Sequence, residues 1–296
     1  MIQTSLRGCG TALVTPFKSD GQIDDIALKK FVDFQIENGV DFLVPCGTTG
    51  ESATMNDRER ALVISTVVKQ ANHRVPVVAG TGTNATSSSI EYSKQAQDLG
   101  ADAVLLVGPY YNKPTQKGYR RHFEAVAGSI QIPAILYNVP GRTGGNIEAR
   151  TILELAKTPN IIGVKEASAN FSQFAEILKY RPKDFLVLSG DDALTLPMLS
   201  MGADGVISVA GNQIPGIMAS ICRFAHEGNW SDARDLHYRY IDLMNINFVE
   251  SNPIPVKYAM YLMGMMEEVY RMPLVPLEPS NKEKMRRLLV ELKLIK

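Results

Sequence analysis

The sequence contains few of the residues that build disulfide scaffolds and clustered metal sites. Among its 296 residues are three cysteines, Cys9, Cys46 and Cys222, and four histidines. The cysteines are odd in number and widely spaced, which argues against a disulfide framework and a C-x-x-C metal site. The histidines are scattered without the spacing of metal ligands. We therefore expect reduced thiols and no bound metal.

The chain also lacks an excess of charge of either sign and long apolar runs. Lysine plus arginine and aspartate plus glutamate number 31 each, and no basic stripe is interleaved with aromatic residues. This balance argues against a nucleic-acid partner. No stretch reaches the roughly 18 apolar residues of a spanning helix, and the N-terminus has no apolar segment of the signal-peptide kind. We expect a cytoplasmic protein, with no membrane partner, that acts on a small molecule.

Short apolar runs recur along the chain and alternate with amphipathic helical patterns. They cover residues 11–15, 42–46, 75–79, 103–107, 134–137, 161–165, 185–188 and 205–208. About eight units of strand then helix indicate an α/β fold, the (β/α)8 TIM barrel, in preference to a six-stranded doubly wound sheet. The doubly wound alternative stays open, because strand order cannot be read from a sequence.

Beyond Trp230 the strand patterns cease. Helical patterns follow at 234–249, 254–266 and 281–294, and prolines separate them. We therefore divide the chain into a barrel domain, residues 1–229, and a C-terminal helical extension, residues 230–296.

Helix starts in the barrel can be placed by their caps. Asn56 and Glu59 match a capping box, which predicts that a helix begins near Asp57. Asn84 is a similar candidate cap. Residues 214–226 predict the eighth barrel helix, with Gly228 as its stop.

A lysine ends the sixth apolar run, where three β-branched residues and a glycine at 161–164 predict a strand buried on both faces. Partial burial of Lys165 would disfavour its charged form. From a reference pKa near 10.4, full neutralisation at pH 7 costs roughly 4–5 kcal/mol. A neutral amine attacks a carbonyl, so the position predicts a Schiff-base lysine. The alternative is a strand-end lysine that reaches solvent or pairs with Glu166.

Polar residues follow other strands. Thr48 and Thr49 stand among glycines after the second strand, where short hydroxyls and free amides suit a small carboxylate. The alternative is a local cap formed by Thr48 and Glu51. Tyr137, at the end of the fifth strand, can pass protons along a chain that includes a threonine. Arg142, on the next loop, presents a planar fork for a second carboxylate.

Competing sites look weak. Gly80-x-Gly82 lacks the third glycine of the dinucleotide fingerprint, and no phosphate-binding G-x-x-x-x-G-K-[ST] motif occurs. Asp191 and Asp192 could hold a cation, although a cap at the start of the seventh helix is the simpler interpretation. Phosphate-containing cofactors are therefore not implied, and a metal-dependent aldolase is disfavoured.

Taken together, five motifs in order resemble the dihydrodipicolinate synthase family, part of the pyruvate-dependent class I aldolases that include N-acetylneuraminate lyase. They are G-T-T-G-E at 47–51, Y-Y-N-K-P at 110–114, Y-N-V-P-G-R-T-G at 137–144, G-V-K-E-A at 163–167 and S-G-D-D at 189–192. The resemblance implies a lyase that condenses pyruvate with L-aspartate 4-semialdehyde in the diaminopimelate route of lysine biosynthesis. Arg142 is the main feature that separates this family from the sialic acid lyases.

The resemblance also implies roles for individual residues. Lys165 forms the imine with pyruvate, Thr48 and Thr49 hold its carboxylate, and Tyr137 passes protons through Thr48 to Tyr111. Arg142 binds the carboxylate of the second substrate. Gly190 and Ile207 also match substrate-binding positions. A protonated imine withdraws electrons from the pyruvate carbon and eases formation of the enamine, so no separate cofactor is required.

The family's assembly implies that Tyr111 enters the active site of a neighbouring subunit in a tight homodimer, often paired into a homotetramer. Positions of an allosteric lysine pocket at that interface match Ser52, Ala53, Asn84 and Tyr110. Asp57, Arg60 and Ser88 stand where the lysine-sensitive pattern has two histidines and a glutamate. We therefore expect weak or absent inhibition by lysine.

Two other functions compete with this one. The pyruvate imine could accept an aldehyde from a sugar acid, as in keto-deoxy-sugar aldolases. The barrel could also bind a keto acid without catalysis, since fold alone does not fix function.

Overall fold

The fold, taken from a computed structural model that describes residues 2–296, is built on one parallel sheet. Within this range the strands are β1 Gly8–Ala12, β2 Phe42–Val44, β3 Val78–Gly80, β4 Ala103–Val107, β5 Ala134–Asn138, β6 Ile161–Glu166, β7 Leu186–Ser189 and β8 Gly205–Ser208. Their order is β2-β1-β8-β7-β6-β5-β4-β3. Leu43 forms a parallel bridge with Val77 and so joins the two ends of the sheet. The predicted (β/α)8 barrel is confirmed, and the doubly wound alternative is wrong.

Helices alternate with the strands and then continue alone. They are α1 Ile2–Ser5, α2 Asp25–Glu37, α3 Asp57–Ala71, α4 Thr86–Asp98, α5 Gln116–Ala127, α6 Pro140–Thr143, α7 Ala149–Leu155, α8 Phe171–Tyr180, α9 Thr195–Ser200, α10 Pro215–His226, α11 Trp230–Ile246, α12 Ile254–Leu262 and α13 Pro279–Glu291. Short 3₁₀ turns lie at Ser52–Thr54 and Ala210–Asn212. None of the helices formed by residues 2–296 combines the length and the apolar character that crossing a membrane requires.

The strands bury both faces, which explains their nearly continuous apolar sequences. Inward side chains such as Phe42, Ile135 and Leu188 fill the barrel interior, while Leu43 and Leu136 face the surrounding helices. The outer layer is continuous with the core of the C-terminal helices. The boundary proposed at residues 229 and 230 coincides with the start of α11, and the division into two domains stays a prediction.

The pairing of β5 with β6 is irregular. Ala134 pairs with Ile161, but the next residue, Ile135, pairs with Gly163. One extra residue, Ile162, is therefore accommodated at the start of β6, as in a β-bulge. Beyond this point the register is regular as far as Asn138 and Glu166.

Of the two predicted helix caps, the structure confirms one and contradicts the other. Asn56 and Glu59 form the full capping box of α3, as predicted. Asn84 does not cap α4, because Ala85 precedes that helix. The turn is held by Thr83, whose hydroxyl accepts from the Ala85 amide. The Asn84 carbonyl accepts instead from the Asn112 side chain.

Some element boundaries also differ from prediction. β1 begins and ends three residues before the predicted run at 11–15. Its Gly8-Cys9-Gly10 sequence gives no apolar run, yet a Cβ on Gly10 would lie 2.1 Å from the Phe42 ring. Glycine is therefore needed where the two strands pack together. The three predicted C-terminal helices exist. The second begins at the predicted residue, and the other ends are shifted by two to four residues.

Candidate active site

A cavity of about 130 Å³ opens at the carboxyl ends of the barrel strands, the end at which barrels of this type place their chemistry. Its polar lining includes Thr48, Thr49, Tyr137, Arg142, Lys165 and Asn252. Five of these residues were predicted from the sequence. The structure thus brings together residues that are up to about two hundred positions apart in the sequence.

Lys165 lies at the base of this cavity. Its side chain projects inward from β6, and the residue is only 5% exposed. Burial lowers the pKa of the Lys165 ammonium from 10.5 to about 8. The charge of Arg142 acts in the same direction, whereas Asp192 and Asp191 oppose it. A useful fraction of this amine is therefore neutral near physiological pH.

The neighbouring Glu166 points to the opposite side of the strand. Its buried carboxylate accepts hydrogen bonds from Asn138 Nδ2 at 3.0 Å, Gln173 Nε2 at 3.1 Å and the Ser168 amide at 2.7 Å. Glu166 is thus fully engaged behind the sheet. The alternative in which Lys165 pairs with Glu166 or reaches solvent is wrong.

Tyr137 stands beside Lys165 on the adjacent strand. The Lys165 Nζ lies 4.3 Å from the centre of the Tyr137 ring. Burial raises the pKa of the Tyr137 phenol to about 12, while Arg142 and an interaction with Thr48 act the other way. The phenol is therefore protonated at neutral pH. It can donate a proton and must receive one back through a neighbour such as Thr48.

The loop after β2 presents both threonines to the cavity. Thr49 is buried and accepts a hydrogen bond from Asn252 Nδ2 at 3.0 Å. The alternative in which Glu51 completes a local cap is wrong, because the Glu51 carboxylate binds Lys257 Nζ at 2.5 Å. Glu51 therefore anchors the loop to the C-terminal extension and leaves the threonine hydroxyls free to serve the cavity.

Arg142 lies on the short helix α6 and is largely exposed at the mouth of the cavity. Its Nη2 donates to the Asn252 backbone carbonyl at 3.3 Å. No carboxylate among residues 2–296 forms a salt bridge with Arg142 within 4.0 Å, so its charge is available to an anionic ligand.

Gly190 and Asp191 line the cavity after β7. A Cβ on Gly190 would lie 2.6 Å from Ala167 Cβ and 3.0 Å from Lys165 Cε. Any larger residue at this position would therefore clash with Ala167 and crowd the Lys165 side chain. Ile207 lies within the barrel interior and does not line the cavity.

The aspartates of this region have structural roles. Asp192 is buried, and its Oδ2 accepts from the Val209 and Ala210 amides at 3.0 and 2.8 Å. Asp191 Oδ1 accepts from the amide of Leu194, which precedes α9. Asp191 therefore stabilises the turn before α9 but does not cap the helix, because Leu194 occupies the cap position and α9 has no side-chain cap. Asp192 ties the loop after β7 to the loop after β8. Across residues 2–296, acidic, cysteine and histidine side chains form no group of three suited to a metal ion.

Tyr111 is not brought into the cavity of its own chain. It is 89% exposed and adopts a left-handed backbone conformation with φ 71°. Such a conformation is uncommon for a residue with a bulky side chain. The preceding Tyr110 is partly exposed and lines a second cavity.

The second cavity, of about 440 Å³, adjoins the first through Thr48, Tyr137 and Arg142. Of the four residues that match allosteric positions by resemblance, Ser52, Ala53 and Tyr110 line this cavity and Asn84 does not. The allosteric role itself stays a prediction. Arg60 also lines it, donating to the Ser52 and Gly80 carbonyls at 3.2 and 2.9 Å.

The sequence analysis missed Asn252 and Lys257. Both come from the C-terminal extension, and their contacts with the loop after β2 span more than 200 residues. The only local signal was the pair of prolines at 253 and 255, which indicates a break between helices.

Comparisons with known proteins agree with this arrangement. The sequence model of the Dihydrodipicolinate synthetase family matches residues 5–292. A 4-hydroxy-tetrahydrodipicolinate synthase from Koribacter versatilis is 51% identical, and the alignment covers 98% of this chain and 97% of the relative.

Solved structures give the same result. The dihydrodipicolinate synthase of Aquifex aeolicus superposes with a TM-score of 0.96 at 45% identity, covering 98% of this chain and 99% of the other. The chloride-inhibited enzyme of Acinetobacter baumannii, solved with pyruvate, gives 0.96 at 42% identity, covering 98% and 100%. With the family match over nearly the whole chain, the barrel, its buried lysine and the surrounding loops identify this chain as a member of the dihydrodipicolinate synthetase family.

Proposed function

We propose that this protein is a lyase that condenses pyruvate, held as an imine on Lys165, with L-aspartate 4-semialdehyde. The observation that carries the proposal is the buried Lys165 amine, with a pKa of about 8, at the base of a cavity lined by hydroxyl groups and Arg142. The names of the relatives and the pyruvate in the Acinetobacter baumannii structure support the substrates. The product would enter the diaminopimelate route of lysine biosynthesis in the cytoplasm.

In the first stage the neutral Lys165 Nζ attacks the ketone carbon of pyruvate and a C–N bond forms. The ketone oxygen takes up two protons and leaves as water, and the nitrogen becomes a protonated imine. Loss of a proton from the methyl carbon then gives an enamine. Tyr137 is placed to donate and recover protons here, because its ring lies beside the Lys165 nitrogen.

In the second stage the enamine carbon attacks the aldehyde of the second substrate, and a C–C bond forms. The aldehyde oxygen takes a proton from Tyr137, and Tyr137 is then reprotonated through Thr48 and Tyr111. The amino group of the second substrate then attacks the imine carbon, so a ring closes with a new C–N bond, the bond to Lys165 breaks, and Lys165 leaves as the free amine. No step requires a dissociable cofactor, since the imine itself withdraws the electrons.

Two anion sites orient the substrates. Thr48 and Thr49 would hold the pyruvate carboxylate, since both hydroxyls line the cavity near Lys165. Arg142 would hold the carboxylate of the aldehyde at the cavity mouth. Gly190 contributes by leaving space beside Lys165. Ile207 would act from the barrel wall, although it does not line the cavity of this chain.

The active unit would be a homodimer or a homotetramer. Tyr111 is highly exposed and cannot serve the cavity of its own chain in this position, which supports a role in the site of a neighbouring subunit. The second cavity, with Ser52, Ala53 and Tyr110, would lie at the same interface. Asn84 is adjacent in sequence to Thr83, which lines this cavity.

The test is reductive trapping. Protein incubated with pyruvate and borohydride should gain the mass of one reduced imine per chain, and peptide mapping should locate it on Lys165. Lys165→Ala should show no adduct and no turnover, while Lys117→Arg, at an exposed position of α5, should behave as the unmodified protein. An adduct at another lysine would refute the assignment.

The second substrate requires its own assay. Pyruvate should be consumed with aspartate semialdehyde and not with sugar-derived aldehydes. Faster turnover with a sugar aldehyde would favour a keto-deoxy-sugar aldolase. An absence of both adduct and turnover would favour a protein that only binds a keto acid.

A further inference from the structure

One polar side chain of the cavity comes from outside the barrel. Asn252 lies between α11 and α12 in the C-terminal extension and is 5% exposed. It lines the cavity together with Lys165, Thr49 and Arg142. Neither the motifs of the sequence nor the proposed mechanism gives it a role.

Asn252 contacts both of the residues proposed to bind carboxylates. Its Nδ2 donates to Thr49 Oγ1 at 3.0 Å, and its backbone carbonyl accepts from Arg142 Nη2 at 3.3 Å. A single residue of the extension therefore joins the keto-acid side of the cavity to its mouth.

The hydrogen bond from Asn252 determines whether the Thr49 hydroxyl acts as a donor or as an acceptor toward the cavity. A threonine hydroxyl has one donor and two acceptor positions. Because Asn252 Nδ2 occupies an acceptor position, the Thr49 O–H remains free to donate. A carboxylate in the cavity can only accept, so the arrangement prepares Thr49 to bind it.

Two observations indicate that this contact serves a ligand more than the fold. The loop that carries Thr49 is already anchored by the buried pair of Glu51 and Lys257. In addition, Asn252 Oδ1 is buried and has no hydrogen-bond partner among residues 2–296. Buried amides normally have both ends paired, so an asparagine selected for stability alone would not leave this oxygen free.

We propose that Asn252 is a positioning residue for the keto acid: it orients the Thr49 hydroxyl toward the substrate carboxylate, so the C-terminal extension completes the active site. The inference rests on the proposed function, since it takes the ligand of Thr49 to be the pyruvate carboxylate.

The experiment measures borohydride trapping as a function of pyruvate concentration. Asn252→Ala should raise the half-saturating pyruvate concentration about tenfold, while saturating pyruvate should still modify Lys165. Asn252→Asp should also raise the half-saturating pyruvate concentration. Its carboxylate would accept a hydrogen bond from the Thr49 hydroxyl, which would then no longer donate to the substrate. Should Asn252→Ala fail to fold, the neutral variant Asn252→Ser replaces it.

A matched control and a double variant separate positioning from a structural role. Asn247 is another buried asparagine of the extension, paired with Gln213, and it does not line the cavity. Asn247→Asp should leave half-saturation unchanged, whatever it does to the melting temperature. Adding Asn252→Ala to Thr49→Val should have no further effect on half-saturation, because the hydroxyl to be oriented is gone.

The inference would be overturned if Asn252→Ala kept the half-saturating pyruvate concentration of the unmodified protein. It would also be overturned if the increases in half-saturating concentration caused by Asn252→Ala and Thr49→Val multiplied in the double variant. Normal pyruvate binding in Asn252→Asp would overturn it as well, because the amide would then accept from Thr49 and not donate to it. These results differ from failure of the proposed function, in which the unmodified protein itself gives no adduct on Lys165.

Discussion

The Lys257 ammonium and the Glu51 carboxylate form a fully buried ion pair between the C-terminal extension and the loop that carries Thr48 and Thr49. The Lys257 Nζ lies 2.5 Å from Glu51 Oε1 and 4.3 Å from the centre of the Phe17 ring. Burial lowers the pKa of Lys257, and the charge of Glu51 opposes this change. The pair therefore depends on both partners being present.

Removing one partner should be strongly destabilising, because the other charge stays buried without compensation. We expect Lys257→Met to lower the free energy of unfolding by about 3–5 kcal/mol, measured by urea denaturation. The double variant Glu51→Leu with Lys257→Met should recover most of this loss. Lys282→Met, which breaks a partly exposed pair with Glu268 in the same extension, should cost less than about 1 kcal/mol. Equal losses of unfolding free energy in Lys257→Met and Lys282→Met would contradict the prediction.

The pH dependence of imine formation should report the pKa of Lys165. Burial lowers this pKa to about 8, so the neutral amine becomes the major form above that pH. The rate of trapping at low pyruvate should therefore rise about tenfold per pH unit below pH 8 and level off above it. A rate that continued to rise toward pH 10 would show an amine with its ordinary pKa.

Tyr137→Phe should impair proton transfer while leaving the fold intact. The pKa of about 12 keeps the phenol protonated at neutral pH, so the hydroxyl acts as a donor in a relay. We expect kcat to fall by about 10²–10⁴-fold. Tyr119→Phe is the matched control, since Tyr119 is also buried and its hydroxyl has no partner in the described part of the chain. Similar kcat values for both variants would exclude Tyr137 from the relay.

Mixed assemblies can test whether Tyr111 serves a neighbouring subunit. Tyr111→Phe and Lys165→Ala should each be poorly active alone. When the two chains are coexpressed in equal amounts, half of the dimers are mixed, and each mixed dimer contains one complete site. The mixture should therefore recover about a quarter of the unmodified activity. Activity no higher than that of the separate variants would place Tyr111 in the site of its own chain.

Inhibition by lysine should be weak or absent. The second cavity is lined by the Arg60 guanidinium, whose charge repels an ammonium group, and Ser88 supplies no carboxylate. Asp57 accepts a hydrogen bond from the Tyr92 hydroxyl at 2.8 Å and so is already engaged. We expect no inhibition below about 1 mM lysine in the condensation assay. Ser88→Glu should increase sensitivity, and sub-millimolar inhibition of the unmodified protein would contradict the prediction.

The parts of the fold with strong local patterns were predictable. β4 and β8 occur at the predicted residues, because each is a short run of buried apolar or small side chains between polar turns. The capping box at Asn56 was equally local. Ordered motifs then indicated the family, and with it the lyase activity, that the comparisons confirm.

The parts that depend on distant contacts were not predictable. β1 was misplaced because its glycines are explained only by the side chains packed against them, Asp41 at Gly8 and Phe42 at Gly10. Asn252 and Lys257 reach the loop after β2 from more than 200 residues away, and no spacing rule connects such positions. The individual roles of Tyr111, Gly190 and Ile207 stay predictions until they are tested by substitution.

The extra residue at Ile162 decides which side chain meets the substrate. Successive residues of a strand face opposite sides, so a slip of one position would send Glu166 into the barrel and Lys165 out among the amide donors that now surround Glu166. The nucleophile would be lost and a carboxylate would face two anionic substrates. By absorbing one residue before Gly163, the bulge gives Lys165, and not the carboxylate beside it, the inward position opposite Tyr137.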